Sequence, residues 1–288
     1  MSVDINEILS FLDKTNVSES FMVFPSTIEK QRSNSLMWAK NISKAEQVLE
    51  GVLILSEEIY QQINPVNSVL YIQVPANPRL YFLRVLEQFF SVDRSAEIKN
   101  HVNDHRSNEK LLIGENVFIG SNVVIGDGTI IHDNCTIFKN SVIGEFCLIK
   151  SFTSIGTEGL GFEFIGGKWE KFPQIGNVII GDHCEIGPHA TVRRSALGTT
   201  SVGNGCKIGS FTNIGHNCSL GKSVLITSNC TIAGSCNIGD NCYLGISTSI
   251  RNGISIGPDS FIGMGSVVVK NVPKQSKVFG NPAKPQPK

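Results

Sequence analysis

His216 stands in the run Ile214-Gly215-His216-Asn217, and Gly234 follows it by eighteen residues. Imidazole is the side chain whose ordinary pKa lies closest to neutrality, which suits it to accept a proton from an attacking amine. A glycine leaves its own backbone N–H open to a ligand, and such an N–H can stabilise the oxyanion of an acyl-transfer step. A base beside an exposed amide is the least that acyl transfer to an amine requires. The plainer reading of His216 is a solvated surface side chain, so its pairing with Gly234 decides the matter. Pairing is possible only if eighteen residues of chain return to the same place.

The hydrophobic pattern says that they do. An isoleucine recurs every six residues at Ile113, Ile119, Ile125, Ile131, Ile137, Ile143, Ile149 and Ile155. After an interruption the ladder resumes at Ile180, Ile186 and Val192, then runs from Val202 through Ile214, Ile232 and Ile250 to Val268. Neither a helix nor a flat strand has this period, but a three-sided parallel β-helix with six residues per side does. Each aliphatic residue points inward, and stacked coils bury these side chains in one column. The ladder predicts about seven to eight coils spaced at about 4.8 Å over residues 109–272.

The same register disposes of two other chemistries. The eight cysteines, Cys135, Cys147, Cys184, Cys206, Cys218, Cys230, Cys236 and Cys242, all lie four residues after a ladder position. Valine, threonine, serine and alanine fill that slot elsewhere, so it is small and buried, and a free thiol serves there as a compact hydrophobe. No CxxC pair exists, and neither disulfides nor a thiolate metal site are expected. Of the remaining histidines, His101, His105, His132, His183 and His189, the last two occupy equivalent slots one side apart, away from that of His216. Three converging imidazoles for zinc are therefore not expected.

Lys+Arg and Asp+Glu both total 25, which gives no electrostatic case for nucleic acid or an anionic membrane. The start, MSVDINEILSFLDK, lacks a basic region followed by an apolar run, and no segment is apolar enough to span a bilayer. A cytoplasmic protein is expected. Residues 1–108 lack the ladder and read as a small α/β domain. It has a helix over 4–12, strands at 52–55 and 69–74, and a helix started by Asn77-Pro78 with Tyr81, Leu83, Leu86 and Phe90 on its apolar face. The charged stretch 101–110 reads as a linker.

Two departures break the ladder. Residues 157–173, TEGLGFEFIGGKWEKFP, carry Phe162, Phe164, Lys168, Trp169 and Phe172; residues 193–200, RRSALGTT, form a shorter one. Solenoids tolerate inserted loops at little cost, but this aromatic load favours a lid or a substrate wall.

Taken in order, GLGFEFIGGKWEKFPQIGNVIIGDHCEIG, RRSALGTTSVGNG and IGHN resemble the UDP-3-O-acylglucosamine N-acyltransferases of bacterial lipid A synthesis, and NPRLYFLRVL fits their N-terminal domain. The resemblance implies a left-handed coil, against the usual right-handed crossover. It also implies a homotrimer with sites between solenoids, a nucleotide-linked amino sugar as acceptor, and His216 as general base with the Gly234 N–H at the oxyanion. Trp38 would stack on the nucleobase and Asn41 hydrogen-bond to it, a buried tryptophan being the alternative. Phe162, Phe164, Lys168, Trp169 and Asn217 would contact substrate.

Two features depart from that family. Gly209 and Ser210 stand where an Asp-Asn pair is expected, so a backbone carbonyl is expected to orient the imidazole. The tail, residues 273–288, lacks a helical extension and is similar to that of acetyl-CoA-dependent hexapeptide transferases. There Lys270, Gly280, Asn281 and Lys284 would contact coenzyme A. The favoured reading is therefore an N-acyltransferase using a coenzyme A thioester as co-substrate, without a resident cofactor or metal, in cell-surface polysaccharide synthesis. The alternatives are the lipid A enzyme with a hydroxyacyl carrier-protein donor, and a non-catalytic scaffold.

Overall fold

The computed structural model describes residues 2–90 and 111–285, and they fall into two units. Neither the linker assigned to 101–110 nor His101 and His105 lie among the described residues.

In the solenoid unit every ladder residue pairs in register with its counterpart one coil on, as in Ile214 with Ile232 and Ile232 with Ile250. Three sheets result, of eight, seven and ten strands, parallel except for the terminal pair of the largest, matching the left-handed β-helix expected of the repeats. The inward column is buried throughout except at its start, where Ile113 and Ile125 are half-buried. Corners turn through a left-handed residue, often asparagine, whose short amide tolerates positive φ. Neighbouring corner amides also bond to each other, Asn122 Nδ2 donating to Asn140 Oδ1 at 3.2 Å.

The solenoid extends past residue 272. Val278 joins the core, Lys277–Phe279 pairs with Phe261–Ile262, and Lys284–Pro285 folds back antiparallel on it. The segment assigned to coenzyme A thus closes the last coil, whose edge would otherwise be left unpaired.

All eight cysteines are buried and free, but bulk is only half of their role. Each thiol donates to a corner carbonyl on the next coil. Examples are Cys135 to Lys150 O at 3.1 Å, Cys218 to Ala233 O at 3.2 Å and Cys230 to Gly245 O at 3.2 Å. Threonine does the same from this slot, Thr129 Oγ1 donating to Gly144 O at 2.8 Å. Where cysteine or threonine fills the slot it thus gives a corner carbonyl a donor, and a buried carbonyl without a partner costs about 1–3 kcal/mol.

The other unit comprises the N-terminal domain and the departure at 161–175. Its sheet has five strands in sequence order: β1 (Val3–Asp4), β2 (Met22–Pro25), β3 (Ser35–Trp38), β4 (Gly51–Ser56) and β5 (Val69–Val74). The strands are parallel beyond the β1–β2 pair. Strands β2 and β3 escape the sequence reading, since each is four residues long and β2 ends on a proline. Helix α1 (Ile5–Phe11) is capped by Asp4, and the helix at Pro78–Val85, here α2, by Asn77 Oδ1. Phe82, not Tyr81, joins Leu83, Leu86 and Phe90 in the core. The insertion is a β-hairpin, Phe162–Ile165 against Lys168–Lys171, turning at Gly166 and Gly167, both at positive φ. No helix among the described residues is long and apolar enough to cross a membrane.

Burial pushes the Cys135, Cys230 and Cys242 thiols above their ordinary value. Above the ordinary thiol range the unfolded chain releases protons that the native state keeps, so stability falls as pH rises through that range. Thiol-specific labelling near pH 8 should modify no cysteine in the native protein and all eight in denaturant. In chemical denaturation, Cys135→Val should cost about 1 kcal/mol by orphaning Lys150 O, while Cys135→Thr should cost less.

Candidate active site

In-register stacking places residues 194, 216, 234, 252 and 270 in one slot of one corner on successive coils. Both departures leave the solenoid at this same corner, after Ile155 and after Val192. His216 is half-buried there, and its ring lies flat against Gly234. A Cβ on residue 234 would come within 2.7 Å of His216 Nε2 and 2.6 Å of Cε1. Only glycine at 234 leaves room for the imidazole. The Gly234 carbonyl accepts from Gly253 N–H at 3.0 Å, while its N–H has no acceptor among the described residues.

The imidazole is oriented by a side chain and not by the backbone carbonyl expected from the sequence. His216 Nδ1 lies 3.0 Å from Asn217 Oδ1, which also accepts the Ala196 N–H at 2.9 Å. An oxygen that receives a backbone N–H is an acceptor, so Nδ1 must be the protonated nitrogen and Nε2 carries the lone pair. Asn217 is itself pinned by donating its backbone N–H to Thr200 Oγ1 at 2.9 Å, and it tolerates φ 62° as few residues would. The short departure at 193–200 supplies both Ala196 and Thr200. It is therefore the part that aims the imidazole, and Asn217 Oδ1 is engaged by both Nδ1 and the Ala196 N–H.

The other sequence-derived residues are dispersed. Trp38 ends β3 half-buried, with the Arg79 guanidinium 5.9 Å from its ring centroid. The same guanidinium is 5.3 Å from the Phe172 ring, so a cation already lies on Trp38. Asn41 Oδ1 caps the short helix Ile42–Ala45 by accepting Lys44 N–H at 3.0 Å. On the hairpin, Phe162, Phe164 and Trp169 share an exposed face, whereas Glu163 and Glu170 pair with Arg79 and Arg84. Lys168 Nζ lies 3.6 Å from Glu170. Phe172 is buried and stacks on Phe82 at 6.5 Å. Lys270 shares the His216 corner, while Gly280, Asn281 and Lys284 sit in the terminal hairpin. His183 stacks on Phe146, and His189 lies between Phe152 and Phe211 with both centroids at 4.8 Å. No cluster able to hold a metal ion exists among the described residues.

The bacterial transferase hexapeptide (six repeats) model matches residues 111–144, 199–234 and 235–270, and the hexapeptide repeat of succinyl-transferase matches 177–210. Repeats of the bacterial transferase hexapeptide type therefore recur along the solenoid. The chain is 46% identical over 66 residues to UDP-3-O-acylglucosamine N-acyltransferase 2 of Nitrobacter winogradskyi. It is 49% identical over 65 residues to UDP-3-O-acylglucosamine N-acyltransferase of a Marinomonas species. Each match takes in 23% of this hexapeptide-repeat chain and 19% of the relative, so the chain spans about a fifth of the curated relatives' length. The UDP-N-acetylglucosamine acyltransferase of Francisella novicida superposes with a TM-score of 0.57 at 30% identity, covering 62% of this chain and 64% of its own. LpxA of Acinetobacter baumannii gives 0.54 at 26%, covering 62% and 68%.

Nitrogen NMR of the imidazole provides a check that needs no substrate. His216 should show a protonated Nδ1 and a bare Nε2 over the pH range in which it is neutral. Asn217→Ala should return the ring to a mixture of tautomers, and an unchanged spectrum in that variant would contradict the assignment.

Proposed function

We propose that the chain is an N-acyltransferase that moves an acyl group from a thioester to the amine of a UDP-linked glucosamine derivative. The observation that carries this reading is the bare Nε2 of His216 held against Gly234, whose N–H is unclaimed. As the neutral amine attacks the thioester carbonyl, Nε2 takes its proton and the Gly234 N–H donates to the developing oxyanion. Collapse of the tetrahedral intermediate expels the thiolate, which recovers a proton from the imidazolium. Asn217 Oδ1 accepts from Nδ1 throughout and holds the ring in place. A positioned base contributes about 10²–10⁴-fold and one oxyanion donor roughly 10²–10³-fold. A scaffold would need neither a selected tautomer nor a glycine kept clear for it.

The relatives favour the lipid A reading over one in other cell-surface polysaccharides. By name they act on UDP-3-O-acylglucosamine or UDP-N-acetylglucosamine. That reading brings a hydroxyacyl carrier-protein donor with it. The counter-argument for coenzyme A rests on the GNPAK segment, which has a structural occupation in closing the last coil. A homotrimer is part of the proposal, since Val124, Ile179 and Leu225 stand 58%, 40% and 40% exposed on the solenoid sides. Such faces are covered in a closed three-fold assembly, and light scattering reads the mass directly.

With UDP-3-O-acylglucosamine as acceptor, hydroxyacyl carrier protein should support turnover and acetyl-CoA should not. His216→Ala should lower that turnover at least about a hundredfold with little change in Tm. A variant within threefold of wild type would remove His216 from the mechanism.

A further inference from the structure

Beneath the base, at the end of the flat side that leads into its corner, stands an uncompensated guanidinium. Thr191 pairs in register with Asn213 and Val192 with Ile214, so Arg193 lies under Gly215, one coil or about 4.8 Å below. Val192 belongs to the core, and alternation along the strand turns Arg193 outward. Its Nε donates to Asn213 Oδ1 at 2.9 Å and its Nη1 to the Glu158 carbonyl at 2.9 Å. Both acceptors are neutral. Arg193 is half-buried, forms no ion pair among the described residues, and has no partner for Nη2 among them. A charge drawn out of water without a counter-charge is costly. Neighbouring cations are placed differently. Arg194, in the His216 slot one coil below, is buried with its guanidinium on Gly156 O and Lys139 O. Lys207, on the His216 coil, donates to His183 O at 2.9 Å on another side of the triangle.

The bonds that hold Arg193 also fix what the patch presents. Glu158 O and Asn213 Oδ1 are both taken up by the guanidinium. With Oδ1 turned to Arg193, Asn213 is left to present Nδ2, which has no partner among the described residues. Gly215, above Arg193, has no side chain to stand between this patch and His216. Arg193 and Asn213 therefore offer N–H groups, with a full positive charge behind them. Such a set takes an oxyanion, and the planar fork of arginine suits a phosphate.

In a nucleotide-linked 2-amino sugar the anomeric phosphate and the reacting amine sit on adjacent carbons. An amine within reach of His216 Nε2 therefore brings its phosphate close to the same coil, where this patch lies. We propose that Arg193, with Asn213 beside it, binds the anomeric phosphate of the acceptor. The inference rests on the reading of His216 as base toward such an amine. Arg193 then sets the position of the amine through the phosphate next to it.

Calorimetry on the full chain tests this without a donor, so the outcome does not depend on turnover. UDP ends in the phosphate that carries the sugar, and UMP lacks it. Wild type should bind UDP and UDP-3-O-acylglucosamine more tightly than UMP. Arg193→Ala should weaken the first two at least about tenfold, one charge-assisted contact, and leave UMP unchanged. Arg193→Gln, which keeps an amide donor for Asn213 and Glu158 without the charge, should do the same with an unaltered Tm. Arg193→Lys should retain part of the preference, and Lys207→Ala should change nothing. In turnover, Arg193→Gln should raise the KM for the acceptor and leave that for the thioester donor as it was. His216→Ala should bind all three ligands as wild type does, which separates this inference from the role of the base. The proposal is overturned if wild type binds UMP as tightly as UDP, if Arg193→Gln still prefers UDP as wild type does, or if that variant loses UMP equally. A loss confined to UDP-glucuronic acid would assign the guanidinium to a sugar carboxylate and overturn it as well. Absence of binding by every ligand would remove the acceptor reading along with it.

Discussion

The constraint on which this protein depends is the register between coils. Each side of the triangle hydrogen-bonds to the side one coil on, so a residue's environment is set by its counterparts eighteen positions away. A slip of one residue would turn the isoleucine column outward and bring polar residues into the core. That penalty holds the corners in place as well, and it converts a sequence separation into an atomic contact. His216 and Gly234 meet because Ile214 and Ile232 must.

The inward column and the corner thiols solve two halves of one problem. Aliphatic side chains supply the burial that drives stacking, but a corner lifts backbone carbonyls out of the ladder. In many of the slots four residues after an aliphatic, cysteine and threonine return a donor to those carbonyls from the neighbouring coil. Cysteine is smaller in its polar demand than serine or threonine, since an S–H left with a long bond costs little in an apolar setting. The unusual cysteine content of the chain is thus a consequence of coil geometry.

Much of this was legible in the sequence. The six-residue period predicted the coil, the eighteen-residue return predicted the His216–Gly234 pair, and Asn77-Pro78 predicted a helix start. What escaped has separate physical causes. The orientation of His216 depends on Ala196 and Thr200, which reach Asn217 only because a departure of the chain lies one coil below. No periodic rule places an irregular segment, so the sequence could show that RRSALGTT leaves the ladder but not what it touches. Strands β2 and β3 escaped because four residues carry too little alternation to register. The thiol donors escaped because volume alone accounts for the slot, and only the coordinates show where each S–H points.

The two departures also explain why the site sits where it does. A parallel ladder cannot absorb extra residues within a strand without losing register, so insertions must leave at corners, and both leave at the same one. Below His216 that corner is crowded, with Asn217 held from two directions. Above it the corner is bare, with Gly234 offering backbone and Asn252, Arg251 and Lys270 offering unpaired groups. A base needs rigid support on the side that aims it and free space on the side where it reacts. This chain has Gly209 and Ser210 on the preceding corner, and the imidazole takes its orientation from Asn217. A neutral amide accepts the Nδ1 proton with less attraction than a carboxylate would. The tautomer is fixed all the same, because Asn217 Oδ1 has only lone pairs to offer the Nδ1 side of the ring.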